Sequence, residues 1–172
     1  MGITVHFEGR LKDEVAYERA ITTAIRFASV RDWPAESFRI ELARLSRVKD
    51  EQDWDYEGPT RGISLRPHSS CEPIRLEFDR ELYIQEYTKT QFAPPEVHRE
   101  LVALLVALGP YFVELVVFDE GEYYETRDEE VLLQHRNRCF ELLDEHLRDD
   151  KFLKGPVRLP SGRIADLIRN DA

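Results

Sequence analysis

The chain has 172 residues, of which 42% are hydrophobic and 34% charged, so a packed core is expected and intrinsic disorder is disfavoured. Its 34 acidic and 24 basic residues give a net charge of −10, which argues against binding to nucleic acids and to anionic membranes. Two cysteines, no apolar run long enough to cross a bilayer and no secretory signal pattern predict a cytosolic protein.

The first half of the chain mixes clear and weak secondary-structure signals. Alternating apolar and polar residues predict a strand at residues 3–7. Asp13 then precedes a helical pattern that runs to about Val30, and we expect it to cap that helix. A second strand is predicted at residues 38–45, whereas residues 46–62 are polar and unpatterned and are interpreted as a mobile loop.

Short strands and a second helix follow. Strands are predicted at residues 63–66 and 74–78, and residues 82–87 could continue the same sheet. A Pro-Pro pair at residues 94–95 marks the start of a helix with leucines at helical spacing on one face.

The most apolar segment of the chain is the run Phe112–Phe118, which predicts a buried strand at the centre of the sheet. Thr126 and Glu129 match a capping box, so a third helix is expected from there to about Leu147. Residues 150–172 are interpreted as a C-terminal tail with one short helix.

These elements predict the fold class. Strands separated by helices, with a meander between them, are typical of an α/β protein, here an α+β sandwich with a mixed or antiparallel sheet of about five strands packed by three main helices. Neither a linker nor an internal repeat divides the chain, so a single domain over residues 1–172 is expected.

A zinc site is the first chemical hypothesis to weigh, because the common phosphate-binding and nucleophile motifs are absent from the sequence. His68 with Cys71, and His135 with Cys139, supply the side chains of a tetrahedral zinc site. His135 and Cys139, however, lie on an apolar stripe of the third helix, where cysteine acts as a small hydrophobic residue. We therefore expect no metal and no cofactor.

The acidic turn, residues 119–125, is the main candidate site, since it follows the apolar strand and precedes the third helix. Its carboxylates and tyrosines could meet Lys and Arg of a partner, bind a cation or act as general acid and base, or simply form a solvated turn at a helix N-terminus. The candidate partner-binding residues here are Asp119, Glu120, Glu122, Tyr123, Tyr124 and Glu125.

Two further groups of residues are weighed. Trp54 and Tyr56 stand among acids in the polar segment and are candidate aromatic contacts to a partner, or side chains that fold back over the core. Glu77 and Asp79 alternate with the apolar residues of their strand and are interpreted as solvent-exposed rather than catalytic.

The sequence therefore favours a non-catalytic, acidic, cytosolic binding protein, of an inhibitor or immunity type, that occupies a basic surface of a partner protein. The alternative is a small hydrolase or metal-dependent enzyme that uses the acidic turn and nearby histidines. A third reading is a homo-oligomer subunit, but nothing in the sequence indicates the oligomeric state.

Overall fold

Two three-stranded antiparallel sheets form the centre of the computed structural model, which describes residues 2–49 and 52–169, with the backbone alone at residues 49 and 52–54. The first sheet has the order β5-β1-β6 and the second the order β2-β3-β4. The strands are β1 (Thr4–Leu11), β2 (Ala35–Lys49), β3 (Gln52–Leu65), β4 (Ile74–Phe78), β5 (Tyr83–Lys89) and β6 (Phe112–Asp119).

Helices complete an α+β fold, as predicted, but the described residues form ten strands in four antiparallel sheets where about five strands were expected. They are α1 (Glu14–Ser29), α2 (Pro95–Leu108), a single turn α3 (Tyr123–Thr126) and α4 (Glu129–Asp149). Asp13 caps α1 as expected, because its Oδ1 accepts the Ala16 N–H at 2.7 Å. Alanines at four-residue spacing form the buried face of α1, and leucines form that of α2. Small side chains let α1 lie close to the strands.

The main core contains residues of both sheets. Val5, Phe7 and Leu11 of β1 pack with Ile63 and Leu65 of β3. The alternation of these apolar residues with polar ones directs one face of each strand to the core. Burial of this shared apolar surface holds the two sheets together.

Residues 46–62 were predicted to be a mobile loop, and this is wrong for the part that the structure describes. They belong to the long hairpin of β2 and β3, which pair from Ala35 opposite Leu65 to Lys49 opposite Gln52. A register shift between Ile40 and Ala43 separates the base of this hairpin from its outer part. We call residues 43–49 and 52–58 the hairpin arm.

The prediction that Phe112–Phe118 is central and buried is also wrong. Within residues 2–49 and 52–169, β6 pairs with β1 alone and lies at an edge of its sheet, while β1 is the central strand. Val113 is 71% exposed and Phe118 is 62% exposed. Leu115 and Val117 pack against the core from the opposite side of the strand.

Two boundaries near the C-terminus differ from the predictions. α4 begins at Glu129 with Asp128 as its cap, since Asp128 Oδ1 accepts the Glu130 N–H at 2.8 Å. Thr126 is not the cap, because its hydroxyl donates to Glu122 O within α3.

The tail also differs, since its described residues, 150–169, form short strands in place of the predicted helix. β7 (Leu153–Lys154) pairs with β10 (Ile168–Arg169), and β8 (Val157–Arg158) pairs with β9 (Ile164–Ala165). None of the helices in the part of the chain that the structure describes is both long and apolar enough to span a membrane.

Candidate functional site

Asp119, predicted as an exposed contact residue, is in fact a buried structural residue that is 2% exposed. Its carboxylate accepts the N–H groups of Gly121 at 2.8 Å and Tyr124 at 2.9 Å. Its Oδ2 also lies 3.0 Å from His98 Nε2. The side chain therefore holds the acidic turn in shape and is not available to a partner.

These contacts determine the charge state of Asp119. Burial raises the pKa of a carboxyl group, but the hydrogen bond and charge of His98 and the two backbone N–H groups act in the opposite direction and prevail. The pKa of Asp119 is therefore lowered from its ordinary value, and the group is ionised at neutral pH.

The other acids of the turn divide into an internal and an exposed set. Glu120 accepts the Thr4 N–H at 2.9 Å and so fixes the start of β1. Glu122 and Glu125 are exposed, while Tyr123 and Tyr124 are half-buried. A partner could contact the last four residues, but they form only a small part of the surface.

A hydrogen-bonded chain joins Thr90, His98 and Asp119. Thr90 Oγ1 lies 2.8 Å from His98 Nδ1, so the order of groups is that of a nucleophile, a base and an orienting carboxylate. All three residues are buried, each with at most 2% of its surface exposed. The Thr90 hydroxyl also lies within hydrogen-bond distance of Ile3 O, to which it donates. Substrate cannot reach the hydroxyl in this arrangement, and the chain acts as an internal brace between α2 and the acidic turn.

Tyr56 and Trp54 lie on the hairpin arm, in strand β3. The Tyr56 hydroxyl donates to Pro59 O at 2.8 Å and accepts the Arg80 N–H at 3.3 Å. The Trp54 side chain lies outside the described part of the structure, and only its backbone pairing with Arg47 can be stated. Tyr56, predicted to contact a partner, is half-buried and hydrogen-bonded within the chain, and the structure does not test the same prediction for Trp54.

Among the described residues, no group of three or more His, Cys, Asp or Glu side chains is arranged to hold a metal ion. Cys71 is buried, and burial raises the pKa of its thiol to about 12. His135 contacts Glu122 at 3.4 Å. His135 and Cys139 were predicted to lie on an apolar stripe of α4 that packs on the sheet, and this is wrong. Leu132 is the one buried residue of this helix, while His135 and Cys139 are half-buried.

Glu77 and Asp79, interpreted as solvent-exposed, are each 4% exposed. Glu77 accepts the Thr60 hydroxyl, and Asp79 forms an ion pair of 2.6 Å with Arg47 of the hairpin arm. The alternation placed them correctly opposite the core residues of β4. They are buried because Thr60 and Arg75 enclose Glu77, and Arg47 of the hairpin arm lies against Asp79.

The surface that sequence reasoning missed is the side of the β5-β1-β6 sheet that faces away from the core, here called the sheet face. Three cross-strand rows compose it: Tyr87, His6 and Phe118; Gln85, Glu8 and Val116; Tyr83, Arg10 and Glu114. The His6 ring lies 5.7 Å from the Tyr87 ring and 5.8 Å from the Phe118 ring. An aromatic row thus crosses all three strands.

The hairpin arm lies beside the sheet face and encloses a groove with it. The groove consists of two adjoining cavities of about 620 and 630 Å³ that share Glu8, Val48 and Val116 in their linings. Gln85 joins the two walls, since its side chain bonds the Val48 N–H at 2.8 Å and the Val48 carbonyl at 2.7 Å. The same amide donates to Glu8.

The charges of the sheet face are unbalanced. Among the described residues, Glu8 and Glu114 form no ion pair with a lysine or an arginine, whereas Arg10 is paired with Glu81 at 2.9 Å. Burial raises the pKa of Tyr83 to about 12, and the charge of Glu8 and its hydrogen bond add to that effect. The face therefore combines apolar and aromatic side chains with two carboxylates that form no ion pair with an arginine or a lysine of the described residues.

Comparison of the chain with protein-family models, with curated proteins and with solved structures finds no match. The site must therefore be interpreted from its own geometry.

Proposed function

We propose that the chain is a non-catalytic binding protein that recognises a basic and partly apolar surface of a partner protein through the sheet face. The observation that carries the proposal is the exposure of Phe118 and Val116 beside Glu8 and Glu114, two carboxylates that form no ion pair with a lysine or an arginine among the described residues. Contiguous exposed apolar surface rimmed by polar groups is typical of interaction sites. Unpaired carboxylates favour a partner with lysines and arginines.

An inhibitor or immunity-type role fits these features. A protein that masks the basic cleft of a nucleic-acid-processing enzyme needs a net negative charge and a rigid apolar surface, and this chain has a charge of −10. The two free thiols, Cys71 and Cys139, suit the cytosol. The hydrolase alternative gains no support from the Thr90, His98 and Asp119 chain, since its hydroxyl is enclosed.

Selection of random peptides displayed on phage tests the proposal. Peptides enriched on the wild-type protein should combine apolar residues with lysine or arginine, and they should lose binding to Phe118→Ser and Glu114→Gln. Val30→Ser and Glu18→Gln are matched controls, because both residues are exposed on or next to α1, far along the chain from β6. Their binding should equal that of the wild type.

The kinetics of the selected peptides give a second measurement. Charge steers association, so the association rate should fall as the salt concentration rises, and Glu114→Gln should weaken that dependence. Phe118→Ser should instead speed dissociation, because aromatic anchors act through buried contact. Enriched peptides that bind all four variants equally, or no enrichment at all, would contradict the proposal.

A further inference from the structure

β6 is an edge strand with hydrogen-bonding groups that no other strand of the described residues uses. The Glu120 N–H donates to Thr4 O at 3.1 Å, and bonded pairs recur at every second residue of an antiparallel ladder. Phe118 and Val116 therefore direct their backbone groups to β1, opposite His6 and Glu8. The N–H and C=O groups of Leu115 and Val117 point to the free edge.

The pairing of β6 with β1 shifts register between Arg10 and Leu11, at the start of β6, but residues 115–118 beyond that point lack the protection that sheet edges normally have. Natural edge strands carry charges, prolines or bulges that prevent pairing with another chain. The edge strand β2 follows this rule, with Glu36, Arg39, Glu41 and Arg44 along its length and a register shift after Ile40.

The outer edge of β5 is also protected. Arg163 donates to Tyr87 O at 2.6 Å, and Glu72 both donates to and accepts from the backbone of Lys89. In β6, by contrast, the four consecutive residues 115–118 are uncharged and apolar. Of these three edges, β6 is the one left open to a further strand.

We infer that β6 accepts an extended segment of the partner as an additional strand of the β5-β1-β6 sheet. Resting on the proposed function, this inference specifies how the partner binds. A strand paired with β6 places every second side chain on the sheet face, beside Phe118, Val116 and Glu114, and the others beside Leu115 and Val117.

The chemistry of the two sides defines the occupant. The side next to Leu115 and Val117 continues the core and favours small branched apolar residues. On the sheet face, lysine side chains cover Val116 and Phe118 with their methylene stems and bring their ammonium groups to the unpaired carboxylates. The partner segment is thus an extended strand that alternates apolar and basic residues.

A second copy of the chain does not fit the edge. Each chain carries a charge of −10, and a β6 to β6 contact would bring together two faces that both have unpaired glutamates. Such a pairing would add repulsion, because Arg10, the arginine of this face, is already paired with Glu81. We therefore expect a monomer in the absence of the partner.

The probe for a test is an eight-residue peptide of alternating valine and lysine with blocked termini. Fluorescence anisotropy should detect binding that weakens as salt rises, and a valine and glutamate peptide should not bind. In the complex, hydrogen exchange of the Leu115 and Val117 amides should slow by about tenfold or more, since they become hydrogen-bonded. In the free protein these amides should exchange faster than those of Val116 and Phe118.

Backbone methylation separates strand pairing from simple surface contact. One peptide is N-methylated at every valine and another at every lysine, so that each blocks the N–H groups on one edge of the strand. One of the two should lose at least about tenfold in affinity, while the other should bind like the parent. Loss with the valine set indicates an antiparallel strand, and loss with the lysine set a parallel one.

A variant of the protein gives the complementary measurement. Val117→Pro removes a free N–H at an edge, where proline is tolerated, and should abolish peptide binding. Val117→Ala keeps the N–H and should bind the peptide within a few-fold of the wild type. If the proline variant does not fold, the methylated peptides still decide the question.

The outcomes distinguish this inference from the proposed function. Equal binding of both methylated peptides overturns the added strand. If the peptides still shift the NMR resonances of sheet-face residues, partner binding at the sheet face remains supported. Failure of the valine and lysine peptide, with success of the phage selection, also overturns only the added strand. A dimer with exchange-protected Leu115 and Val117 amides in the free protein would assign the edge to a second copy and refute the inference.

Discussion

Replacement of Asp119 by alanine tests whether the acidic turn is a contact surface or a structural element. The carboxylate accepts hydrogen bonds from Gly121, Tyr124 and His98 at 2.8, 2.9 and 3.0 Å. In the variant, Tyr124 is half-buried and its N–H can reach water, but the Gly121 N–H and His98 are buried. Each buried donor left without an acceptor costs about 1–3 kcal/mol, and the loss of a buried charge partner costs about 3–5 kcal/mol.

The expected loss of unfolding free energy is therefore about 4 kcal/mol. With a urea dependence of about 2 kcal/mol per molar, the midpoint of urea unfolding should fall by about 2 M. Glu125→Ala is the matched control, since Glu125 is exposed in the same turn, and its free energy of unfolding should stay within about 0.5 kcal/mol of the wild type. Equal midpoints for Asp119→Ala and the wild type would refute the structural role.

The stabilisation that Asp119 provides should depend on pH in a definite direction. The pKa of Asp119 is lowered in the folded chain from an ordinary value of 3.8. Its ionised form therefore stabilises the fold above that value, and the contribution is lost as pH falls through the lower pKa of the folded state. The difference in stability between the wild type and Asp119→Ala should shrink on acidification below about pH 4, and a difference that grows there would contradict this account.

Three further predictions concern the sheets, the thiols and the hairpin arm. A Cβ at Gly62 would lie 1.7 Å from a backbone oxygen of β4, so Gly62→Ala should lower the melting temperature strongly, whereas Gly109→Ala meets nothing within 4 Å and should stabilise the fold by about 0.5 kcal/mol. Burial raises the pKa of Cys71 to about 12, so a thiol reagent should modify Cys139 alone in the native chain and both cysteines in denaturant. Arg47→Met leaves a buried carboxylate unpaired and should cost about 3–5 kcal/mol, with faster amide exchange in the hairpin arm; unchanged exchange would show that the ion pair does not anchor the arm.

The helices could be predicted from the sequence because their signals are local. Asp13 before an amphipathic pattern and the Pro-Pro pair at residues 94–95 fix two helix starts within one turn of chain. The start of α4 was misplaced because Thr126 and Asp128 are both good caps, and the hydroxyl of Thr126 is already used by the preceding turn.

The hairpin of β2 and β3 could not be predicted, because its regularity depends on pairing rather than on pattern. The register shift between Ile40 and Ala43 moves the inward positions from even to odd numbers, which breaks the alternation that identifies a strand. The residue that anchors the arm is Arg47, a charged side chain that is 1% exposed. Its partner Asp79 is distant in sequence, so the sequence offers no sign that either is buried.

The candidate site was missed for a related reason. A strand that is apolar on both sides normally indicates burial on both sides. In β6 this inference holds for Leu115 and Val117, which pack on the core. Val116 and Phe118 face outward into the groove beside the hairpin arm and stay 48% and 62% exposed. The apolar composition of β6 is what the proposed binding mode requires: a strand of the partner would pair with the free edge of β6, and partner side chains would cover Val116 and Phe118 on the sheet face.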